Sequence, residues 1–211
     1  MSGNITALKV QQKNRDRVSV YLDGRYAFGL PAIVAAGLSL GRFLSDSEID
    51  SLRDHGSFEE SYNRTLDYLS YRPRSEAEVA EYLRRREVPD DTIIAIIERL
   101  RGAGLLDDEA FARFWVENRE RFRPRGLRAL RYELRRKGIA SDAIDQALDD
   151  LDTSASAYQA AVKKAHQLNG LEQSEFQRKL VEYLARRGFD YDEARQAAER
   201  HWSEFAANDK Q

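Results

Sequence analysis

The chain has no cysteine, only four prolines, one methionine and three histidines in 211 residues. Without cysteine, disulfides, thiolate zinc sites and cysteine nucleophiles are excluded. His55, His166 and His201 are scattered and show no HExxH or i, i+4 pairing, so a histidine metal site is not expected. Neither GxxxxGK[ST] nor GxSxG occurs, and Gly102-Ala103-Gly104 follows a helical pattern as a cap and turn rather than opening a dinucleotide loop. No apolar run approaches the roughly 20 residues that span a bilayer. Met1-Ser2-Gly3-Asn4-Ile5 lacks the basic and apolar regions of a secretion signal, so a cytoplasmic location is expected. The residues thus point away from an enzyme, and no cofactor is expected.

What is present is charge and helix-forming sequence. Charged residues make up 33% and hydrophobic residues 42%, with a formal net charge of -2. Few prolines with abundant Ala, Glu, Leu and Arg predict a mainly α chain with enough apolar surface for cores. Residues 1–30 differ. Val18, Val20 and Leu22 alternate with polar neighbours, as in half-buried strands. Asp23-Gly24 is a two-residue hairpin signal, because a type I′ turn needs positive φ at both central positions. A three-stranded antiparallel β-meander is expected, with Asn14-Arg15-Asp16 as its first turn and Tyr26–Leu30 as its last strand. A short helix over Pro31–Ala36 closed by Gly37 follows. Ser45-Asp46-Ser47-Glu48 has capping-box spacing and opens another, which His55-Gly56 is expected to end.

From Ser57 onward the pattern is helix after helix. Phe58, Tyr62, Leu66 and Leu69 share one face; Val79, Ala80 and Leu83 follow; Ile93, Ile94, Ile96, Ile97 and Leu100 cover much of a third helix. The next fifty residues repeat the plan. Asp107 or Asp108 caps a helix with Phe111, Phe114, Trp115 and Phe122. Leu127, Leu130 and Leu134 mark the second, stopped by Gly138. Ser141 caps the third, with Ile144, Ala147, Leu148 and Leu151. A third round carries Ala161, Ala165, Phe176, Leu180, Leu184, Ala194, Ala198, Trp202 and Phe205. A period of about 50 residues signals tandem repeats. The expected architecture is an elongated curved array of three-helix repeats behind a small β-meander. Its segments are residues 1–56, 57–106, 107–152 and 153–211. Such an array suits an extended partner.

The most unusual stretch is residues 119–137, RERFRPRGLRALRYELRRK, with nine Lys/Arg against Glu120 and Glu133. Arg128, Arg131 and Arg135 have the spacing of Leu127, Leu130 and Leu134, rotated by about 100°. They should form an exposed strip, with Arg125 just ahead of them. Guanidiniums in a row match carboxylates or phosphates. A weaker copy lies 51 residues earlier, where Arg72-Pro73-Arg74-Ser75 mirrors Arg123-Pro124-Arg125-Gly126. The candidate partner-binding residues are therefore Arg72, Arg74, Arg123, Arg125, Arg128, Arg131, Arg135, Arg136 and Lys137. Against this stands the plain reading of a solvated face with cations near a helix C-terminus. Asp142, Asp145, Asp149, Asp150 and Asp152 form an acidic helix for which neutralisation within the module is the simplest account. Asp107-Asp108-Glu109 sits at a helix start, where acids are favoured. Tyr68, Tyr71, Tyr82 and Trp115 suit base stacking, but at helical spacing core or half-core positions are the simpler reading.

Three motifs stand out within residues 66–151: Leu69-Ser70-Tyr71-Arg72-Pro73-Arg74-Ser75, Gly104-Leu105-Leu106-Asp107-Asp108 followed by Phe111-Ala112, and Glu133-Leu134-Arg135-Arg136-Lys137-Gly138-Ile139. In these motifs the stretch resembles the RecX family of recombinase regulators. Arg86-Glu87-Val88-Pro89 departs from the Lys-Gly form more usual at its turn. The resemblance implies a non-catalytic protein that binds the RecA recombinase in the groove of its DNA filament; a monomer is expected. It would limit filament growth, ATP hydrolysis and strand exchange, and so modulate recombination and DNA repair. Single- or double-stranded DNA is a further expected partner; a membrane is not. The competing reading is a helical module that binds DNA directly, without RecA. The net charge of -2 speaks against it, since primary DNA binders usually carry a basic domain.

Overall fold

The computed structural model describes residues 2–208, with side chains through Glu204. Strands β1 (Gly3–Val10), β2 (Arg17–Leu22) and β3 (Arg25–Pro31) form the expected meander. Leu22 pairs with Arg25 across the turn, where Asp23 and Gly24 take φ of 45° and 79°, as the I′ geometry requires. One strand was not expected. β4 (Phe43–Leu44) pairs with the start of β1, giving the order β3-β2-β1-β4. Two residues are too short for an alternation signal to show. Helix α1 (Ala32–Ala35) starts one residue after Pro31, which closes β3. The inner sheet face carries Ile5, Val18, Val20, Leu22, Phe28 and Leu30, which pack with Val34, Leu44 and Ile49 into one core.

Helix α2 (Asp46–Ser70) corrects the sequence reading. It begins with the expected box: Ser45 accepts from the Glu48 amide, and the Glu48 carboxylate accepts from the Ser45 amide. It does not end at His55-Gly56 but continues without a break to Ser70. Gly56 is buried there, and a Cβ on it would lie 2.8 Å from Leu30 Cδ2 and 3.3 Å from Pro31 Cδ. The glycine thus marks close approach of helix to sheet, not a helix end. The expected segment boundary at 56 falls inside this helix. Beyond Gly56, α2 buries Glu59, Tyr62 and Thr65, with Phe58, Leu66 and Leu69 half-buried.

Helices α3 (Glu76–Arg84) and α4 (Asp90–Gly102) complete the first trio, burying Val79, Ala80, Leu83, Ile93, Ile96 and Leu100. Ile94 is exposed, so α4 has a single buried face rather than the broad one its isoleucines suggested. The second trio is α5 (Asp108–Phe122), α6 (Leu127–Arg136) and α7 (Ser141–Leu148). Asp107 is the N-cap of α5, accepting from the Ala110 amide at 2.8 Å. Ser141 is not a cap: it is the first residue of α7, and the N-cap position is Ala140. Phe111, Leu130, Leu134, Ile139, Ile144 and Leu148 anchor this core, while Phe114 and Phe122 are exposed. The third trio is α8 (Thr153–Ala165), a 3-10 turn at His166–Leu168, α9 (Gln173–Arg186) and α10 (Tyr191–Asn208). Its core is rich in alanine, with Ala157, Ala161, Ala194 and Ala198 packed against Phe176, Leu180 and Leu184. Phe205 lies outside the residues whose side chains are described.

The chain divides into two compact units. One runs to Pro73 and resumes over Val79–Leu105; the other joins Arg74–Glu78 to the chain from Leu106 on. Among the described residues no helix is long and apolar enough to cross a membrane.

Candidate partner-binding surface

The arginine strip lies on α6, in the second unit. Leu130 and Leu134 are fully buried and set the rotation of this helix. That rotation leaves Arg128, Arg131 and Arg135 exposed on one flank. The helix has no acid in its first turn, and its last turn carries Arg135 and Arg136. The strip borders a cleft of about 360 Å³, completed by Leu127 and by Gly188, Phe189, Asp190 and Glu193 at the α9–α10 corner. Asp190 and Glu193 cap each other's amides at 2.8 and 3.0 Å.

The other candidates do not all join the strip. Arg128 donates to the Ala185 carbonyl at 3.0 Å, and Arg131 pairs with Asp145 at 3.0 Å. This second contact fits neutralisation of the acidic helix α7 within its own module, at Asp145. Arg135 makes no ion pair among the described residues, and Arg136 lies over the Tyr132 ring. Arg125 turns inward instead of leading the strip. Its Nε is 3.5 Å from Glu133, whose carboxylate also accepts from Trp115 Nε1 at 2.9 Å and from Arg119 Nε at 2.7 Å. Lys137 is likewise structural. Its ammonium pairs with Glu78 and lies 4.9 Å from the centre of the Trp115 ring, and its carbonyl accepts from Ser75 Oγ at 2.7 Å. Arg72 is half-buried in the first unit and donates to the Pro73 carbonyl at 2.8 Å. Arg74 is half-buried and Arg123 exposed.

The aromatic candidates divide in the same way. Tyr68 stacks on Tyr82 with centroids 4.0 Å apart, and Arg86 covers the Tyr82 ring. Trp115 is half-buried, which fits the half-core reading. Tyr71, by contrast, is 84% exposed.

Sequence reasoning missed Lys163, Tyr183 and Arg187. With Phe122, Arg123, Pro124 and Arg125 they line a second cleft of about 280 Å³. The signal was available: Leu184-Ala185-Arg186-Arg187-Gly188 repeats Leu134-Arg135-Arg136-Lys137-Gly138 at an offset of 50. Only folding brings that repeat's end against the start of α6. The Gly126 amide donates to the Arg187 carbonyl at 3.0 Å, and Arg187 Nε donates to the Pro124 carbonyl at 3.0 Å.

Comparison with known proteins agrees with this architecture over most of its length. Four family models match: the RecX N-terminal domain over residues 3–44, and the first, second and third RecX three-helix domains over 62–100, 107–148 and 152–204. Curated relatives bear the name regulatory protein RecX. That of Bacillus licheniformis is 33% identical over 194 residues, covering 89% of this chain and 73% of the relative. That of Prosthecochloris aestuarii is 42% identical over 134 residues, covering 64% and 88%. A crystal structure of a regulatory protein RecX superposes with a TM-score of 0.74 at 28% identity, covering 92% of this chain and 97% of that one. RecX from Lactobacillus salivarius gives 0.60 at 27% identity, covering 68% and 95%. The chain therefore belongs to the RecX family of regulatory proteins.

Proposed function

We propose that this protein binds the RecA recombinase on its DNA filament and limits filament growth, ATP hydrolysis and strand exchange, acting as a cytoplasmic monomer. Family membership supports the regulatory role. The observation that carries the contact surface is the exposed Arg128–Arg131–Arg135 register beside its cleft. Three guanidiniums on one flank form a multidentate anion site, complementary to carboxylates of a protein groove or to DNA phosphates. Arg123, Arg136, Arg72 and Arg74 remain further candidates. Arg125 and Lys137 hold the module together from inside.

The test is RecA's DNA-dependent ATPase with micromolar protein, comparing wild type with Arg128→Glu/Arg135→Glu. Neither side chain is in an ion pair among the described residues, so the variant should fold, as exposed substitutions typically change stability by about 0.5 kcal/mol or less. Wild type should inhibit, and the variant should need at least about tenfold more protein, a loss of ~1.4 kcal/mol. No inhibition by wild type would sink the RecA reading. Full inhibition by a folded variant would remove the strip from it.

A further inference from the structure

The second unit contains the same backbone junction twice. At the first, Ser75 Oγ donates to the Lys137 carbonyl, and a Cβ on Gly138 would collide with the Ala77 side chain. At the second, the Gly126 amide donates to the Arg187 carbonyl, and Gly188 lies against Ala129. The two are related by the sequence repeat: Ser75 precedes Gly126 by 51 residues, and Lys137 precedes Arg187 by 50.

Their electrostatics differ. At the first junction, Glu78 neutralises Lys137, and Glu133 receives Arg119 and Arg125. The positions matching these two carboxylates at the second are Ala129 and Tyr183. Arg125 of this cleft is the one paired with Glu133, whereas Arg187 and Lys163 are held by neutral acceptors instead. Arg187 donates to the Pro124 carbonyl at 3.0 Å and to the Tyr183 hydroxyl at 2.6 Å, and Lys163 Nζ donates to the Phe122 carbonyl at 3.3 Å. Arg123 makes no ion pair among the described residues. Carbonyl and hydroxyl oxygens fix a cation's position without cancelling its charge. The result is a preorganised cleft of about 280 Å³ with no carboxylate in its lining. The ring of Phe122, 60% exposed, stands at the same cleft.

We propose that this cleft is a nucleotide site, with a phosphate held by Arg123, Lys163 and Arg187 and a base against Phe122. A ring beside clustered cations is the pairing that single-stranded nucleic acid uses, since every base has a π-face and every linkage a charge. Its volume is below the 300–1,000 Å³ of pockets for drug-sized ligands, which fits one nucleotide unit. A free nucleotide and a unit within a strand share this chemistry.

The test uses the full chain without RecA, so its failure is separable from failure of RecA regulation. Fluorescein-labelled dT20 is titrated by anisotropy in about 50 mM salt, where phosphate contacts are strong. Arg123→Glu/Lys163→Glu should weaken binding at least tenfold. Phe122→Ala, which leaves the charges alone, should weaken it about fivefold or more, as loss of a base stack does. Displacement of dT20 by millimolar dTMP would identify a free nucleotide as a ligand; no displacement, with both cleft variants impaired, would identify the strand. The assignment is overturned if both cleft variants, folded by circular dichroism, bind dT20 as wild type does. It is also overturned if only the charge variant is impaired, which would leave a general anion site.

Discussion

Glu87 holds a backbone conformation that is costly for any residue with a side chain. Its φ is 59°, in the left-handed region. The matching positions after α6 and α9 are Gly138 and Gly188, with φ of 79° and 89°. All three follow the last turn of the second helix in a trio. There, amides reach back to close the helix: Val88 to the Leu83 carbonyl, Ile139 to Leu134 and Phe189 to Leu184. The departure from glycine legible in Arg86-Glu87-Val88-Pro89 is thus a residue in a glycine's place, with the motif intact. Glu87→Gly should stabilise the protein by about 0.5–1 kcal/mol, since relief of strain of about 1–2 kcal/mol is partly offset by the greater freedom of glycine in the unfolded chain. Gly188→Ala should do the opposite, with a loss of ~3 kcal/mol or more, because its Cβ would collide with Ala129 as well as strain the backbone. Urea unfolding of the two variants checks both signs. At the same scale, the helical register made the exposed arginine strip legible. The inward turns of Arg125 and Lys137 were not, because their carboxylate partners come from α6's own far face and from α3.

Helix α2 shows what an element-level signal carries and what it leaves out. Its start was written locally: Ser45 and Glu48 are three residues apart and satisfy each other. Its end was misread because His55-Gly56 has the composition of a stop, while the reason for Gly56 is the approach of Leu30 and Pro31, some 25 residues away in sequence. Burial beyond Gly56 then continues on the same helix through Glu59, Tyr62 and Thr65. The box also makes a pH prediction. Hydrogen bonds from the Ser45 amide first, then from Arg42 and the Ser45 hydroxyl, lower the Glu48 carboxyl from 4.5 to about 2. A depressed carboxyl stabilises the fold above its ordinary pKa and loses that contribution as pH falls toward its folded value. The stability gap between wild type and Glu48→Gln should therefore be widest above pH 4.5 and shrink between 4.5 and about 2. A gap that stays constant over that range in urea titrations would show the box is not formed in solution. Ser45→Ala, which removes the acceptor for the Glu48 amide, should cost ~1 kcal/mol at neutral pH.

At the scale of the whole molecule, the fold class was readable because it is repetitive. Leu83, Leu134 and Leu184 fall at offsets of 51 and 50 and are all fully buried. Repetition does not by itself say how much each piece depends on the others, but the cores do. One cluster holds residues from Ile5 to Ile49, a second from Phe111 to Leu148, and a third from Ala157 to Ala198, with no buried residue shared. Removing the sheet should then remove the first of these cores except for Ile49 on α2 and leave the helical cores of the second unit intact. The place to cut follows from α2. A chain starting at residue 57 would begin in mid-helix with its first amides uncapped, whereas one starting at Ser45 keeps the box. Residues 45–211 should retain cooperative thermal unfolding and a far-ultraviolet spectrum with at least the helicity per residue of the full chain. Residues 57–211 should be less stable, by an amount on the order of the lost cap, ~1 kcal/mol. Non-cooperative melting of the 45–211 chain would show that the helical cores need the sheet despite sharing no residue with it. If that chain folds, its effect on RecA's ATPase separates the two roles open to the sheet. Inhibition equal to the full chain would confine the proposed contact to the helical modules, and lost inhibition would place part of it on residues 1–44.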